Sequence, residues 1–525
     1  MKRCPQCNRV ETDDALAFCR VDGARLVFFD NEPPTAVFSS FPTTDTKTRK
    51  STSRGSGSIR KQPIDSIAVL PFANAGDDPN AEYLSDGITE EIINNLSQLP
   101  KLKIMARSTV FSYKGQQVDA RRAGNELGVR AIVTGRVQQL GDRLTIGIEL
   151  VDAADGSQLW GERYSRQIAD IFTLQEEIAE QITSKLRMKL TGPQKKRLGK
   201  RYTKNSEAYQ LYLKGRYFWN KRTEEDAHKG IECFHQALTI DANFALAYTG
   251  LADCQTLLGD VGVQAISPKE AFTQAQSQAA RALELDDSLA EGHGTLGHLS
   301  MHLFDWPTAE RELLRAVELN PNYAPAWFYY AYFLAFTGEL KASIQKMQHA
   351  LELDPLSLPA NTSFGELLHF ANRLDEAIQQ FHKAIELDPY KPVARLELGR
   401  AYETRRDYAL AITEFNQARK LSSDNPESLA SLAHCYAVSG EIDEARTLLA
   451  KLKELATTRY VSAYDFALLH CGLGEFDEAL EWLNRSYEIR DGWMIYITVD
   501  PRWRSVRDDA RFVEIVRRVG LNPGH

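Results

Sequence analysis

The sequence predicts a mainly α protein: a long stack of helical hairpins, preceded by a small mixed α/β domain and a cysteine-bearing head. Three observations predict it. Pro321, Pro355 and Pro389 stand one 34-residue step apart, and the residues between them recur in phase. Residues 64–192 instead alternate short apolar runs with amphipathic stretches. Residues 1–28 hold three of the seven cysteines.

In the periodic region, Gly297, Ala331, Gly365 and Gly399 hold one small position, and Ala309, Ser343, Ala377 and Ala411 a second. Ala316, Ala350, Ala384 and Ala418 hold a third. A large residue recurs at Phe234, Leu313, Met347, Phe381, Phe415, Leu449 and Leu483. A fixed period of this length means stacked hairpins, each unable to bury its apolar face without its neighbours. Small residues let paired helices approach closely, which offsets the roughly 1 kcal/mol that glycine costs inside a helix. Glu318-Leu319-Asn320-Pro321, Glu352-Leu353-Asp354-Pro355 and Glu386-Leu387-Asp388-Pro389 end their hairpins, because proline cannot continue the helix.

These residues look like tetratricopeptide repeats, and in-phase matches run over residues 204–490, about eight hairpins. The first two are looser, with extra residues near Arg222–Asp226 and near Val261–Pro268. The resemblance implies a tetratricopeptide-repeat α-solenoid whose concave groove is lined by the first helix of each hairpin. By phase, the groove-facing residues are Tyr212, Arg216 and Trp219, then His298 and His302, then Phe328, Tyr332 and Phe336. Further along they are Glu366, His369, Phe370, Arg400 and Glu403. The set is aromatic and poor in lysine, so an extended peptide held by apolar or aromatic side chains is the expected partner. Packing of some of these rings against the next repeat is the alternative for any one residue. His298 and His302, four apart, share a helix face and can bind a metal, but no third ligand lies at matching distance in that helix. The favoured reading is a pair of polar groove residues. Residues 491–525, with Asp500-Pro501-Arg502-Trp503, resemble the tail that follows such repeats and read as a structural cap.

Within 64–192, Ile67-Ala68-Val69-Leu70-Pro71-Phe72 reads as a strand buried on both faces. A helix from Ile88 to Leu99, a strand from Leu102 to Ala106 and a helix from Ala120 to Leu127 follow. Arg130–Gln139 and Arg143–Asp152 are strands joined by Leu140-Gly141-Asp142, and the turn Asp155-Gly156 leads into Gln158-Leu159-Trp160. Ile171–Leu190 is helix-patterned, with Gly192-Pro193 as its stop. Asp86, Thr89 and Glu90 allow a polar ligand-binding turn or a helix cap, and the cap is favoured. Ser66 to Phe72, Tyr83-Leu84-Ser85-Asp86-Gly87, Ala106-Arg107-Ser108, Tyr113-Lys114-Gly115 and Leu159-Trp160 make the segment resemble the TolB amino-terminal-like domains of bacterial signalling proteins.

In the head, Cys4-Pro5-Gln6-Cys7 and Cys19-Arg20-Val21-Asp22 have the two-knuckle layout of a zinc ribbon, which they resemble. Cys4, Cys7, Cys19 and Asp22 are then the expected ligands of one structural Zn2+, a carboxylate standing where a fourth cysteine is usual. A metal-free knuckle is the alternative. Residues 29–62 are rich in Pro, Ser, Thr and Gly, with Lys47, Arg49, Lys50, Arg54, Arg60 and Lys61, and read as a disordered basic linker.

A net charge of -8 argues against a chain-wide nucleic-acid surface, and no apolar run is long enough to span a membrane. No phosphate loop, dinucleotide fingerprint, kinase loop set or nucleophile elbow is present. Residues 64–192 contain no histidine. The expectation is a cytoplasmic, non-enzymatic scaffold or adaptor of bacterial signalling that binds partner proteins in its groove. The alternatives are a nucleic-acid-linked regulator using head and linker, and a small-ligand sensor in the α/β domain.

Overall fold

The computed structural model describes residues 2–3, 10–11, 27–28, 64–76, 81–116, 118–186, 188, 190–260 and 266–523. The chain divides into two compact units, Met1–Lys61 and Gln62–His525. In the first, three short strands, β1 (Lys2–Arg3), β2 (Val10–Glu11) and β3 (Val27–Phe28), form an antiparallel sheet in the order β2-β1-β3. The expected zinc ligands Cys4, Cys7, Cys19 and Asp22, and the linker, lie outside the described residues.

The second unit begins with the α/β domain. Its sheet runs β6 (Lys103–Ile104), β4 (Ser66–Val69), β7 (Ala131–Leu140), β8 (Arg143–Asp152), β9 (Gln158–Gln167), with β5 (Ala73–Asn74) also on β7. β4, β5 and β6 pair in parallel, and β7, β8 and β9 antiparallel. Ile67, Ala68 and Val69 are fully buried, as a strand covered on both faces requires. Around the sheet lie α1 (Glu82–Ser97), α2 (Arg107–Phe111), α3 (Ala120–Leu127), α4 (Ile171–Lys185) and α5 (Gly192–Leu198). α3 stops at Gly128, whose φ of +63° makes a left-handed cap natural for glycine.

Two sequence expectations are corrected here. α1 starts at Glu82, so Asp86, Thr89 and Glu90 sit inside it, buried, and cap nothing. Thr89 Oγ1 accepts from the Phe72 amide at 3.0 Å and ties the helix to the end of β4, while Asp86 pairs with Lys114 at 2.6 Å. Gly192-Pro193 does not stop a helix but starts one: Thr191 and Gln194 form a capping box, and proline fits the first turn.

Eight helical hairpins follow among the described residues: α6 (Ser206–Trp219) with α7 (Glu224–Ile240), α8 (Ala245–Gly259) with α9 (Pro268–Leu285), α10 (Ala290–His302) with α11 (Trp306–Leu319), and α12 (Ala324–Phe336) with α13 (Leu340–Leu353). Then come α14 (Leu358–Phe370) with α15 (Leu374–Leu387), α16 (Val393–Arg405) with α17 (Tyr408–Leu421), α18 (Pro426–Ser439) with α19 (Ile442–Leu455), and α20 (Ala463–Gly472) with α21 (Phe476–Glu488). The large position fills each hairpin's core: Phe234, Leu313, Met347, Phe381, Phe415 and Leu483 are fully buried. The small position faces it, so a Cβ at Gly365 would lie 2.4 Å from Phe381 and one at Gly399 2.6 Å from Phe415. The described cysteines, Cys233, Cys254, Cys435 and Cys471, are buried free thiols. Among the described residues, no helix is long and apolar enough to cross a membrane.

The α/β domain and the segment between α5 and α6 dock on the turns that end the first four hairpins, the segment on the first two and the domain on the third and fourth. Thr203 donates to Asp241 at 2.5 Å, and Lys200 to Asp286 at 2.6 Å. Asn320 donates to Ser97 at 2.8 Å, and its neighbour Asn322 to the Ser97 carbonyl at 2.8 Å. Asp354 accepts from Ser108 and, at 2.7 Å, from Thr109. The backbone joins in, with the Ala106 amide on the Leu353 carbonyl at 3.0 Å. The hairpin-ending Asn/Asp position thus also holds the domain or the segment that follows it.

Candidate functional site

The concave face of the repeats is the candidate site, and its side chains come from one row of each first helix. α1 lies against the start of this row. Arg216 donates to Glu90 at 2.8 Å and to Asp253 of the next hairpin at 3.0 Å, while Arg107 and Asn220 also reach Glu90, at 2.8 and 2.9 Å. Burial alone would raise the Glu90 pKa, but Arg216 and Arg107 outweigh it and hold the carboxyl below its ordinary value. At its neighbour Glu91 burial, reinforced by Glu90 and Glu291, outweighs Arg216 and Asn94 and pushes the pKa up to about 8. Tyr212 is buried, its ring 5.2 Å from Phe244.

The far end of the row is covered by residues 491–523. Turns at Gly492–Tyr496 and Pro501–Ser505 fold back over it, while the helix α22 (Ala510–Val519) packs against α21, Arg511 donating to Asp477 at 2.8 Å and Arg518 to Asn484 at 2.7 Å. Tyr496 meets Phe336 at 4.8 Å, Tyr332 at 6.1 Å and Phe370 at 6.1 Å, edge-on in each case. Trp493 lies 4.8 Å from the Arg400 guanidinium. Arg400 also pairs with Glu397 and, at 3.0 Å, with Glu427 of the next repeat. The Asp500–Arg502 pair, at 2.7 Å, closes a small cavity of about 20 Å³ beside His369, Phe370 and Arg400. α22 reaches further, and Trp306 donates to the Val519 carbonyl at 2.7 Å. The tail expected as an end cap is therefore also a filler of the groove.

The positions expected to meet a partner divide accordingly. Tyr332, Phe336, His369 and Arg400 are buried and Phe370 half-buried, all beside the chain's own C-terminal segment. Each polar one is bonded within the repeats: the Tyr332 hydroxyl is 2.5 Å from Glu366, His369 Nε2 is 2.8 Å from Thr404, and Glu403 is 3.0 Å from His434. Burial pushes the His369 pKa down to about 4 and the Glu366 pKa up to about 8. Tyr212 and Arg216 belong to the contact with α1. Trp219, His298 and Phe328 stay half-buried in the stretch between the two occupants.

That stretch is aromatic. Trp219 is flanked by the guanidinium groups of Arg216 and Arg222, each 4.2 Å from its ring. His298 stacks on Tyr329 at 4.3 Å and 11°, and Phe328 meets Tyr329 edge-on at 5.4 Å. The His298 and His302 Nε2 atoms are 3.2 Å apart. Burial lowers both pKa values, that of His298 to about 4. Among the described residues no group of three or more His, Cys, Asp or Glu side chains is placed to hold a metal. Sequence reasoning misread Glu90 and gave no site role to Arg107, Asp253, Tyr329 or Tyr496. Only Tyr329, next to Phe328 in an aromatic run, carries a local signal.

Comparison with known proteins matches these two parts. Residues 63–181 match the family model of the HilA/YgeH-like transcriptional regulator, second domain. Tetratricopeptide-repeat models match residues 312–345, 358–391 and 404–464. The chain therefore carries tetratricopeptide repeats beside a HilA-like domain. The putative adenylate cyclase 3 of Rhizobium meliloti is 36% identical over 231 residues, 44% of this chain and 39% of that protein. The Tol-Pal system protein TolB of Alkalilimnicola ehrlichii is 30% identical over 99 residues, 19% of this chain and 22% of that one. The transcriptional regulator HilA of Salmonella typhimurium is 24% identical over 135 residues, 26% and 24% of the two chains. The chain thus spans well under half the length of each of these relatives. Among solved structures, YrrB, a tetratricopeptide-repeat protein with an unusual peptide-binding site, is 23% identical over 38% of this chain and 97% of its own, with a TM-score of 0.26. Pseudomonas aeruginosa pilF is 20% identical over 45% and 97%, with a TM-score of 0.33.

Proposed function

We propose that the chain is a non-enzymatic scaffold of bacterial signalling that holds a partner protein in the open middle of its concave face. The observation that carries this reading is the wall of Trp219, His298, Phe328 and Tyr329, half-buried between α1 and the C-terminal segment. Aromatic anchors with fixed geometry and nearby guanidinium groups suit an extended peptide bearing apolar or aromatic side chains. The deeper groove positions, Tyr332, Phe336, His369, Phe370 and Arg400, support the wall from behind instead of touching the partner. Tetratricopeptide repeats as a class are interaction modules, which agrees. The names of the relatives, a regulator and a cyclase, support a role in bacterial control, though each match is partial.

The test is affinity capture from the native extract, with and without nuclease, using wild type and Phe328→Ala/Tyr329→Ala. A partner that survives nuclease and is lost from a variant of near-normal thermal stability supports the reading. Capture that requires nucleic acid, or that the variant leaves intact, overturns it.

A further inference from the structure

Among the described residues, the α/β sheet keeps one face open. Leu144, Ile146, Ile148 and Leu150 of β8 are buried, so alternation turns Thr145, Gly147 and Glu149 to the other side. The register then sets Arg136 of β7, Gly147 of β8 and Arg163 of β9 in one cross-strand row on that face. The row forms part of the floor of a groove of about 1530 Å³, walled by the segment after β4 and the loop after α2.

Gly147 has no reason among the described residues. Glycine inside a strand costs roughly 0.5–1 kcal/mol relative to alanine. It usually marks a bulge or a close approach by another backbone or a ligand. Pairing at Gly147 is regular on both sides, its φ is not positive, and a Cβ there would meet nothing within 4 Å. The nearby glycines differ: a Cβ at Gly135 would lie 2.9 Å from Phe72, and one at Gly161 2.2 Å from Gln158.

The arginines are equally unexplained. Arg136 and Arg163 are exposed, and among the described residues neither side chain makes a hydrogen bond or ion pair. A glycine, not a carboxylate, separates these like charges. Glu149 stands two residues along the middle strand, about 7 Å away by strand rise, and pairs with neither.

We propose that this face binds a phosphate ester that also carries hydroxyl groups. The phosphate sits over Gly147 between the guanidinium groups of Arg136 and Arg163, and a hydroxyl donates to Glu149. The two arginine Cα atoms are about 10 Å apart across two strand spacings, within reach of one anion from both sides. Guanidinium forks match phosphate oxygens bidentately, and three terminal oxygens serve two forks where a carboxylate's two do not. The site is separate from the repeat groove and does not depend on the reading given there.

Isothermal titration of the full chain with ribose 5-phosphate tests the proposal, with inorganic phosphate and ribose as controls. Ribose 5-phosphate is expected to bind about tenfold more tightly than inorganic phosphate, some 1.4 kcal/mol, with no binding of ribose. Arg136→Gln/Arg163→Gln abolishes phosphate binding, and Glu149→Gln reduces ribose 5-phosphate to the level of inorganic phosphate. Gly147→Val, whose side chain enters open space, keeps or raises the thermal midpoint and abolishes binding. No binding of ribose 5-phosphate at millimolar concentration, or binding that survives in the arginine variant, overturns the proposal.

Discussion

Glu90 of α1 and Arg216 of α6 meet at 2.8 Å, joining segments 126 residues apart in the chain. Glu90 is 5% exposed, so removing either partner strands a charge where water cannot replace it. Arg216→Met is expected to cost about 3–5 kcal/mol in chemical denaturation. Glu90→Met/Arg216→Met should recover only part of that loss, because Arg107 and Asp253 each lose a partner, and an Arg216→Met variant as stable as wild type would show the pair to be unimportant.

The same pair gives the protein an acid limb. The folded-state pKa of Glu90 lies below its ordinary value, so its contribution is present above that value and lost as pH falls through the folded pKa. Glu91 has the opposite sign. With its pKa at about 8, the folded state favours the protonated acid, and stability declines as pH rises from the ordinary carboxylate range to about 8. Glu91→Gln should therefore stabilise the protein by a few kcal/mol at pH 9, where each tenfold difference in proton affinity between the folded and unfolded chain is worth about 1.4 kcal/mol, and by little at pH 4. Parallel stability curves for wild type and variant between these pH values would refute the assignment.

Tyr496 is the wedge between the C-terminal segment and the groove. Tyr496→Ala is expected to cost about 2–3 kcal/mol, less than a fully buried aromatic because Tyr496 is half-buried. Hydrogen exchange should rise in α12 and α14, whose Phe336 and Phe370 it touches, as well as in residues 492–505. A rise confined to the C-terminal segment would mean that the segment does not support the groove.

Gly365 faces Phe381 with no room to spare, since an added Cβ would lie 2.4 Å from a ring that is fully buried. Gly365→Ala should destabilise by about 1–3 kcal/mol through overpacking. This exceeds the helix-propensity gain of at most about 1 kcal/mol, so a stabilised variant would contradict the packing.

The head carries an expectation of its own. One equivalent of zinc per chain, lost in Cys7→Ser, is the expected result of native mass spectrometry, and metal-free wild type would favour the empty knuckle.

Much of the repeat core was readable because its rules are local and periodic. Gly365 and Phe381 recur in phase with Gly399 and Phe415, and each pair packs within one hairpin. What fills the groove was not readable in the same way. Tyr332 and Phe336 have the phase of partner-facing residues, yet the ring that meets them, Tyr496, arrives from about 160 residues further along with no repeat to announce it. Glu90 misled for a similar reason. An acid near the start of an amphipathic stretch reads as a cap until Arg216 and Arg107 are seen to converge on it. In the sheet, β8 was legible from Arg143 to Asp152 because alternation and the glycine turn both mark it, whereas the two-residue β5 is too short to leave a pattern.

The contacts at Asp241, Asp286, Asn320 and Asp354 have a mechanical consequence. A free solenoid changes pitch like a spring, because each hairpin touches only its neighbours. Here the third and fourth hairpins are fastened to the α/β domain and the first two to the segment that leads out of it, so the first four cannot lengthen or twist without straining that domain and segment. Elastic motion is left to the later hairpins, and any force that loosens the α/β domain is released as a change in superhelical pitch.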